Sequence, residues 1–328
     1  MIEQVLDNVY RIEVPLPDNP LKVLNSYIIK STKGRNLLID TGFNRIECEQ
    51  TIQGALAELE IDMSMTDMFI THLHSDHCGL IAVLPHEDTK LYSGEIDGEL
   101  INFETGNLYW AMLDELFIKY GFPRAEFGRN TDIHPGRKFC NEKRVDFIYL
   151  EEGDVLEVGD YKLELVFTPG HTPGHMCLYD RGKKVLFSGD HILGDITPNI
   201  CIELSCENPL KYYFDSLAKV EGLQVNTILT AHRKPVPDMY ERIRELYDHH
   251  ERRIAEVWKI LEDQWKTGYE VARDMTWRIR CKNWSDFPAP QKWFAAGEAV
   301  AHLQFMHSRG DVLREERDGV YYYRRKEL

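Results

Sequence analysis

Within Thr71-His72-Leu73-His74-Ser75-Asp76-His77, three histidines and an aspartate fall in six residues, directly after the apolar Met68-Phe69-Ile70. Imidazole nitrogen and carboxylate oxygen are what a borderline divalent cation such as zinc prefers. Burying such groups without partners costs roughly 2–7 kcal/mol each, so a core has no use for collecting them. Apolar residues running into this cluster predict a buried strand whose end delivers ligands to a pocket. Alternate residues of an extended segment share a face, which points His72 and His74 at one ion. Asp76 and His77 follow where the chain turns, ahead of Cys78-Gly79, within reach of a second ion. Two ions that close share bridging oxygens, so a lone acidic bridge and further histidines are expected elsewhere.

Three more segments fit that expectation. Thr168-Pro169-Gly170-His171-Thr172-Pro173-Gly174-His175 follows the strand-like Leu163 to Phe167. Val185-Leu186-Phe187-Ser188-Gly189-Asp190 ends an apolar run on an aspartate, and Thr227-Ile228-Leu229-Thr230-Ala231-His232 ends one on a histidine. Four strand ends thus deliver metal-type ligands, at intervals too wide for a zinc finger.

The order and strand context of these motifs resemble the metallo-β-lactamase superfamily, particularly its glyoxalase II-like hydrolases. The matching features are HxHxDH at 72–77, TPGHTPGH at 168–175, FSGD at 187–190 and AH at 231–232. Asp40-Thr41-Gly42, after Asn36-Leu37-Leu38-Ile39, resembles that superfamily's early DTG; the resemblance covers roughly residues 5–235. It implies a four-layer αββα sandwich with the metals at one edge, where periodicity alone gives only α/β. It also implies two divalent metal ions. His72, His74 and His171 would hold one, Asp76, His77 and His232 the other, with Asp190 bridging. Asp40 would orient a ligand imidazole, a common requirement of such sites. Zn2+ is the expected metal, with Fe or Mn as alternatives because the same ligands hold all three. One departure stands out. The last ligand usually sits in a Gly-His-Gly-like loop, whereas here the chain reads Ala231-His232-Arg233-Lys234-Pro235.

Neighbouring residues carry plainer expectations. His175 reads as structural, because His171 has the ligand position. His191 is open between substrate binding and packing. Cys78 reads as a small buried side chain. Cys201 and Cys206 lack CxxC spacing and clustered histidines, so no third site is expected there.

The elements that must position these residues alternate between strand and helix. Asn8 to Val14 alternates like a strand, and Ser26 to Ile29 with Asn36 to Ile39 flanks Lys33-Gly34 as a hairpin. Ile46 to Leu59 has helical spacing, with Ile52, Leu56 and Leu59 as its apolar face. The catalytic domain is expected over 1–235, with a helical insertion at about 95–144 centred on Leu108 to Phe117. This aromatic-rich insertion reads equally as a lid or pocket wall, a dimer contact or plain packing. Arg129, Arg137 and Lys138 within it are candidates for holding an anionic substrate, against the plainer reading of solvated loop residues.

Residues 236–328 form the second expected domain. Helices are predicted from about Asp238 to Trp265, over Tyr269 to Arg280 and over Gln291 to His307, then a hairpin turning at Asp318-Gly319. This succession resembles the winged-helix domain appended to some metallo-β-lactamase-fold hydrolases, a subgroup that includes an endoribonuclease acting on single-stranded RNA. Charge does not favour nucleic acid. Residues 236–328 carry 17 Lys+Arg against 17 Asp+Glu, leaving the whole net charge of −15 on the preceding residues. Phosphate binding needs a basic face, and neither part advertises one. A solvated tail is the plainer reading of Arg324-Arg325-Lys326, and the appended domain reads as architectural, covering the active-site edge or supporting a homodimer.

No apolar stretch approaches the roughly 20 residues of a membrane span, and Met1 to Tyr10 shows no secretory pattern. Seven cysteines without framework spacing suit reduced thiols, so a cytoplasmic protein with no membrane partner is expected. Two close cations would lower the pKa of a shared water from 15.7 to about 7, and Asp76 would steer it or accept its proton. The favoured reading is a metal-dependent hydrolase of a small, anionic ester or thioester. An endoribonuclease or phosphodiesterase acting on single-stranded RNA, and a non-catalytic metal-binding regulator, are the alternatives.

Overall fold

The computed structural model describes residues 1–126 and 135–326. A seven-stranded sheet runs in chain order through β1 (Ile2–Leu6), β2 (Val9–Pro15), β3 (Val23–Ile29), β4 (Asn36–Ile39), β5 (Thr66–Ile70), β6 (Leu91–Gly94) and β7 (Ile148–Leu150). Its first four strands pair antiparallel, with the expected turn at Lys33-Gly34 between β3 and β4. From β4 onward the pairing is parallel, which requires crossovers. Helix α1 (Ile46–Glu58) supplies the first crossover and buries Cys48, Ile52, Ala55 and Leu56.

A five-stranded sheet lies against the first. Its strands are β8 (Val155–Val158), β9 (Tyr161–Phe167), β10 (Met176–Asp180), β11 (Val185–Gly189) and β12 (Thr227–Thr230), with only β11 and β12 parallel. Side-chain alternation builds the space between the sheets. Tyr27, Ile29, Leu37, Ile39 and Phe69 from one sheet meet Leu163, Leu165, Leu178 and Phe187 from the other. Met68 and Ile70, flanking Phe69, point to the helix-covered side instead. Every residue of β5 is therefore buried, as expected of a parallel strand covered on both faces. Outside the second sheet lies a helix over Pro209–Glu221, completing helix, sheet, sheet and helix layers.

Between β5 and β7 come the single turn α2 (Ser75–Cys78), α3 (Glu95–Glu104), α4 (Asn107–Ile118) and α5 (Pro135–Phe139). α6 (Pro209–Glu221) follows β11, buries Leu210, Tyr213, Leu217 and Val220, and is N-capped by Asn208. The predicted helical block of the insertion is α4, whose buried face carries Tyr109, Trp110, Leu113 and Phe117. Phe117 stacks on Trp293 with centroids 4.3 Å apart, so this aromatic face packs against the C-terminal part of the chain. Arg137 and Lys138 lie on α5, where Lys138 covers the Phe139 ring at 5.0 Å. Arg129 lies outside the described residues.

Beyond residue 235 come α7 (Met239–Leu261), β13 (Lys266–Thr267), α8 (Gly268–Asp274), α9 (Ala289–Ser308), β14 (Val312–Arg317) and β15 (Val320–Arg325). β14 and β15 form the expected hairpin, and β13 adds a third strand against β15. α7 starts at its Asp238 cap and stops four residues short of Trp265. The helix predicted to Arg280 instead ends at Asp274. There α7 captures the next residues: Glu256 accepts the Thr276 N–H at 2.6 Å, and Arg253 lies 4.3 Å over the Trp277 ring. Tertiary contacts outweighed helical spacing. No described helix is long and apolar enough to cross a membrane.

Gly297, inside α9, lets that helix approach the loop before α6: a Cβ there would sit 1.9 Å from Cys201 Sγ. Gly297→Ala is expected to cost about 1–3 kcal/mol by overpacking, despite alanine's better helix propensity. Chemical denaturation of Gly297→Ala with and without Cys201→Ala checks this. The double variant should regain most of the loss; equal losses in both backgrounds would contradict the contact.

Candidate metal centre

The ends of β5, β9, β11 and β12 converge at one edge of the sandwich. After β5 the chain stays extended through His74 (φ −63°, ψ 141°) and then closes into α2. His72 and His74 consequently face each other, Nε2 to Nδ1, at 3.1 Å. The turn after β9 brings the His171 ring to 4.9 Å from the His72 ring and 4.5 Å from the His74 ring. α2 directs Asp76 and His77 to the other side, where His232, beyond β12, places Nε2 3.3 Å from Asp76 Oδ2. Two triads result: His72, His74 and His171, and Asp76, His77 and His232.

Asp190 lies between them. Its Oδ2 is 3.5 Å from His171 Nε2 in the first triad. Its Oδ1 is 3.6 Å from His77 Nε2 and 3.5 Å from His232 Nε2 in the second. Gly189, at φ +49°, makes the turn that aims this carboxylate, and a side chain there would meet the His175 ring. His175 accepts the Asp190 N–H at Nε2 (3.1 Å) and bonds Thr168 Oγ1 through Nδ1 (2.8 Å). It positions the bridging residue and takes no place in either triad. Cys78 is buried and donates its thiol to Leu73 O. His191 packs edge-on against Tyr213 (centroids 5.4 Å apart), whose hydroxyl donates to the His191 carbonyl.

The far nitrogen of four of the five imidazoles is tethered, His74 being the exception. His77 Nδ1 lies 2.7 Å from Asp40 Oδ2, His171 Nδ1 2.8 Å from Asn199 O and His232 Nδ1 2.8 Å from Val23 O. Each of these acceptors is an oxygen, so each Nδ1 carries a proton, and Nε2 is the nitrogen left to offer a lone pair to a cation once any second proton is displaced. Thr71 does the same for His72, since its hydroxyl donates to Asp40 and can only accept from His72 Nδ1 at 3.0 Å. Four inward atoms have nothing to bond. His77 Nε2, His171 Nε2, His232 Nε2 and Asp190 Oδ1 are buried without a hydrogen-bond partner among the described residues. Each such atom costs about 1–3 kcal/mol. A tetrahedral cation with ~2.0–2.1 Å bonds sets its ligands about 3.3 Å apart, close to the separations found here. These residues fit divalent cations.

Charge differs between the triads. Burial, reinforced by neighbouring imidazoles, holds His72 well below the ordinary histidine range. His74 falls to about 3 and His171 to about 4, again through burial first. In the second triad burial opposes the charge on His77, but Asp40, Asp190 and Asp76 outweigh it and lift the imidazole to about 9. His232 is raised for the same reason, against burial, by Asp190 and Asp76. For Asp76, burial is outweighed by His77 and His232, which hold the carboxyl below the usual range.

Residues 21–232 match the metallo-beta-lactamase superfamily. The chain belongs to that superfamily. Members of this hydrolase superfamily bind divalent metals in this fold, in keeping with the His/Asp clusters here. A beta-lactamase-like protein 2 homolog of Caenorhabditis elegans is 27% identical over 289 residues, covering 85% of this chain and 81% of its own. An atrochrysone carboxyl ACP thioesterase of Aspergillus fumigatus is 25% identical over 243 residues, which span 74% of this chain and 61% of that protein. The crystal structure of a metallo-beta-lactamase family protein from Thermus thermophilus superposes with a TM-score of 0.81 at 27% identity. That likeness covers 98% of this chain and 100% of the other, so it extends through the helices and hairpin beyond residue 235.

Sequence motifs indicated all seven inward-facing residues and Asp40. They did not indicate Asn199 O or Val23 O, because every residue has a carbonyl and only the fold selects one. Arg233 occupies the position of the missing glycine and adopts φ +64°, so the atypical loop keeps a left-handed backbone. Without metal, His77 holds a proton below about pH 9, which a cation must displace. Affinity of the second triad should therefore rise with pH up to about 9 and then level. The first triad, neutral at neutral pH, should show no such slope. Competitive metal titrations in buffers spanning this range, with proton release recorded, check the sign; equal slopes for both ions would contradict it.

Proposed function

We propose that the chain is a dinuclear metal-dependent hydrolase of a small ester or thioester. His72, His74 and His171 would hold one divalent ion and Asp76, His77 and His232 the other, with Asp190 between the two triads. The observation that carries this reading is the convergence of tethered, partnerless imidazole nitrogens on both sides of one carboxylate. Zn2+ suits the nitrogen-rich ligand set best. When bound, two such ions act as Lewis acids and bring a water's pKa from 15.7 to about 7.

The chain's own groups do the positioning. Asp190 keeps the two triads in register, and Asp40 fixes the His77 ring through Nδ1. Asp76 is ionised at neutral pH, so it orients a water by accepting a hydrogen bond. The neutral imidazoles of the first triad carry no second proton that a cation would have to displace. The thioester preference is supported by the fungal ACP thioesterase among the relatives.

We read residues 236–328 as a winged-helix-like appendage: α7 to α9 lead into the β14–β15 hairpin, completed by β13. Its balanced charge does not favour RNA as substrate. Seven unpaired cysteines suit a reducing, cytoplasmic setting.

Purified protein loaded with defined metals should hydrolyse acyl thioesters or esters, lose activity to a chelator and regain it with metal. Asp76→Asn should lower kcat by about a hundred- to ten-thousandfold. Full activity after chelation would refute the metal mechanism. Cleavage of single-stranded RNA with no thioester or ester hydrolysis would replace the substrate class with the phosphodiester one.

A further inference from the structure

Asp97 lies outside every motif above, in the first turn of α3, and is completely buried. Its carboxylate accepts three hydrogen bonds. Oδ2 takes the Leu73 N–H at 3.0 Å and the Thr172 hydroxyl at 2.6 Å, and Oδ1 takes the Gly174 N–H at 2.6 Å. Leu73 separates His72 from His74, and Thr172 follows His171. One carboxylate thus joins the two loops that supply the first triad, whereas none of its bonds reaches a residue of the second. The approach is close enough to dictate sequence: a Cβ on Gly174 would lie 2.4 Å from Asp97 N and 2.6 Å from Oδ1. Asp40 is its counterpart, with three bonds to Thr71 and His77.

We propose that Asp97 is the positioning residue of the first triad, setting the distance between the His72/His74 segment and the His171 turn and so that triad's metal affinity. This assignment rests on the two-ion reading. Asp97 touches neither ligand atoms nor reacting atoms; it acts through Leu73, Thr172 and Gly174. The three donors explain why a carboxylate stands there. An amide of the same shape offers one acceptor oxygen and a donor NH2, so in Asp97→Asn one main-chain N–H faces another donor. The loops then separate while the second triad, tethered through Asp40 and Val23 O, keeps its geometry.

Metal titration in two backgrounds reads this directly. With His232→Ala, the tighter remaining Zn2+ is the first triad's, and Asp97→Asn should weaken it about ten- to a hundredfold. With His74→Ala, the remaining ion is the second triad's, and the same change should leave its affinity within about threefold. Thr172→Val removes one donor at nearly constant volume and should repeat the pattern more weakly, deciding the matter if Asp97→Asn does not fold. Equal loss in both backgrounds, or none in either, overturns the assignment and leaves Asp97 a packing residue. The unmutated chain is titrated alongside. Uptake of fewer than two ions overturns the two-ion reading and this assignment with it, whereas two ions with unselective loss overturn this assignment alone.

Discussion

The centre depends on a division of labour within four of its five imidazoles. One nitrogen is committed to an oxygen acceptor, so the other is the one turned to the interior as a ligand. His77, His171 and His232 reach this state through a carboxylate and two main-chain carbonyls. The inward atoms are then buried without partners, a cost the fold bears unless a cation offsets it. Asp190 makes the arrangement double rather than single, because its two oxygens face opposite triads.

Much of the architecture serves to bring these atoms together. The first sheet contributes Asp40 and the residues after β5, and the second contributes those after β9, β11 and β12. Packing of the sheets through Phe69, Phe187 and their neighbours fixes one set of strand ends against the other. The appended helices take part as well. Arg242 of α7 donates to Leu193 O at 2.7 Å and Ile196 O at 2.8 Å, holding the loop that follows Asp190 and His191. The C-terminal segment is thereby bonded to the chain beside the centre.

The inward-facing residues were legible in the sequence because each ends an apolar run, and strand alternation says which residues share a face. The parallel strands, the early hairpin, α1 and α4 were legible for similar reasons. Asp97 was not. It sits in a helix's first turn, where an acidic residue is ordinary, and its importance comes from chain segments 24 and 75 residues away. α8 ends earlier than its helical spacing suggests because Glu256 and Arg253 capture the following residues, a contact that spacing does not encode.

On the proposed reading, two ions would occupy the two triads on either side of Asp190. Anomalous diffraction from crystals grown with zinc, measured on both sides of the zinc absorption edge, tests it most directly. The account predicts two peaks flanking the Asp190 carboxylate, one among His72, His74 and His171 and one among Asp76, His77 and His232. A single peak, or peaks away from Asp190, would contradict it.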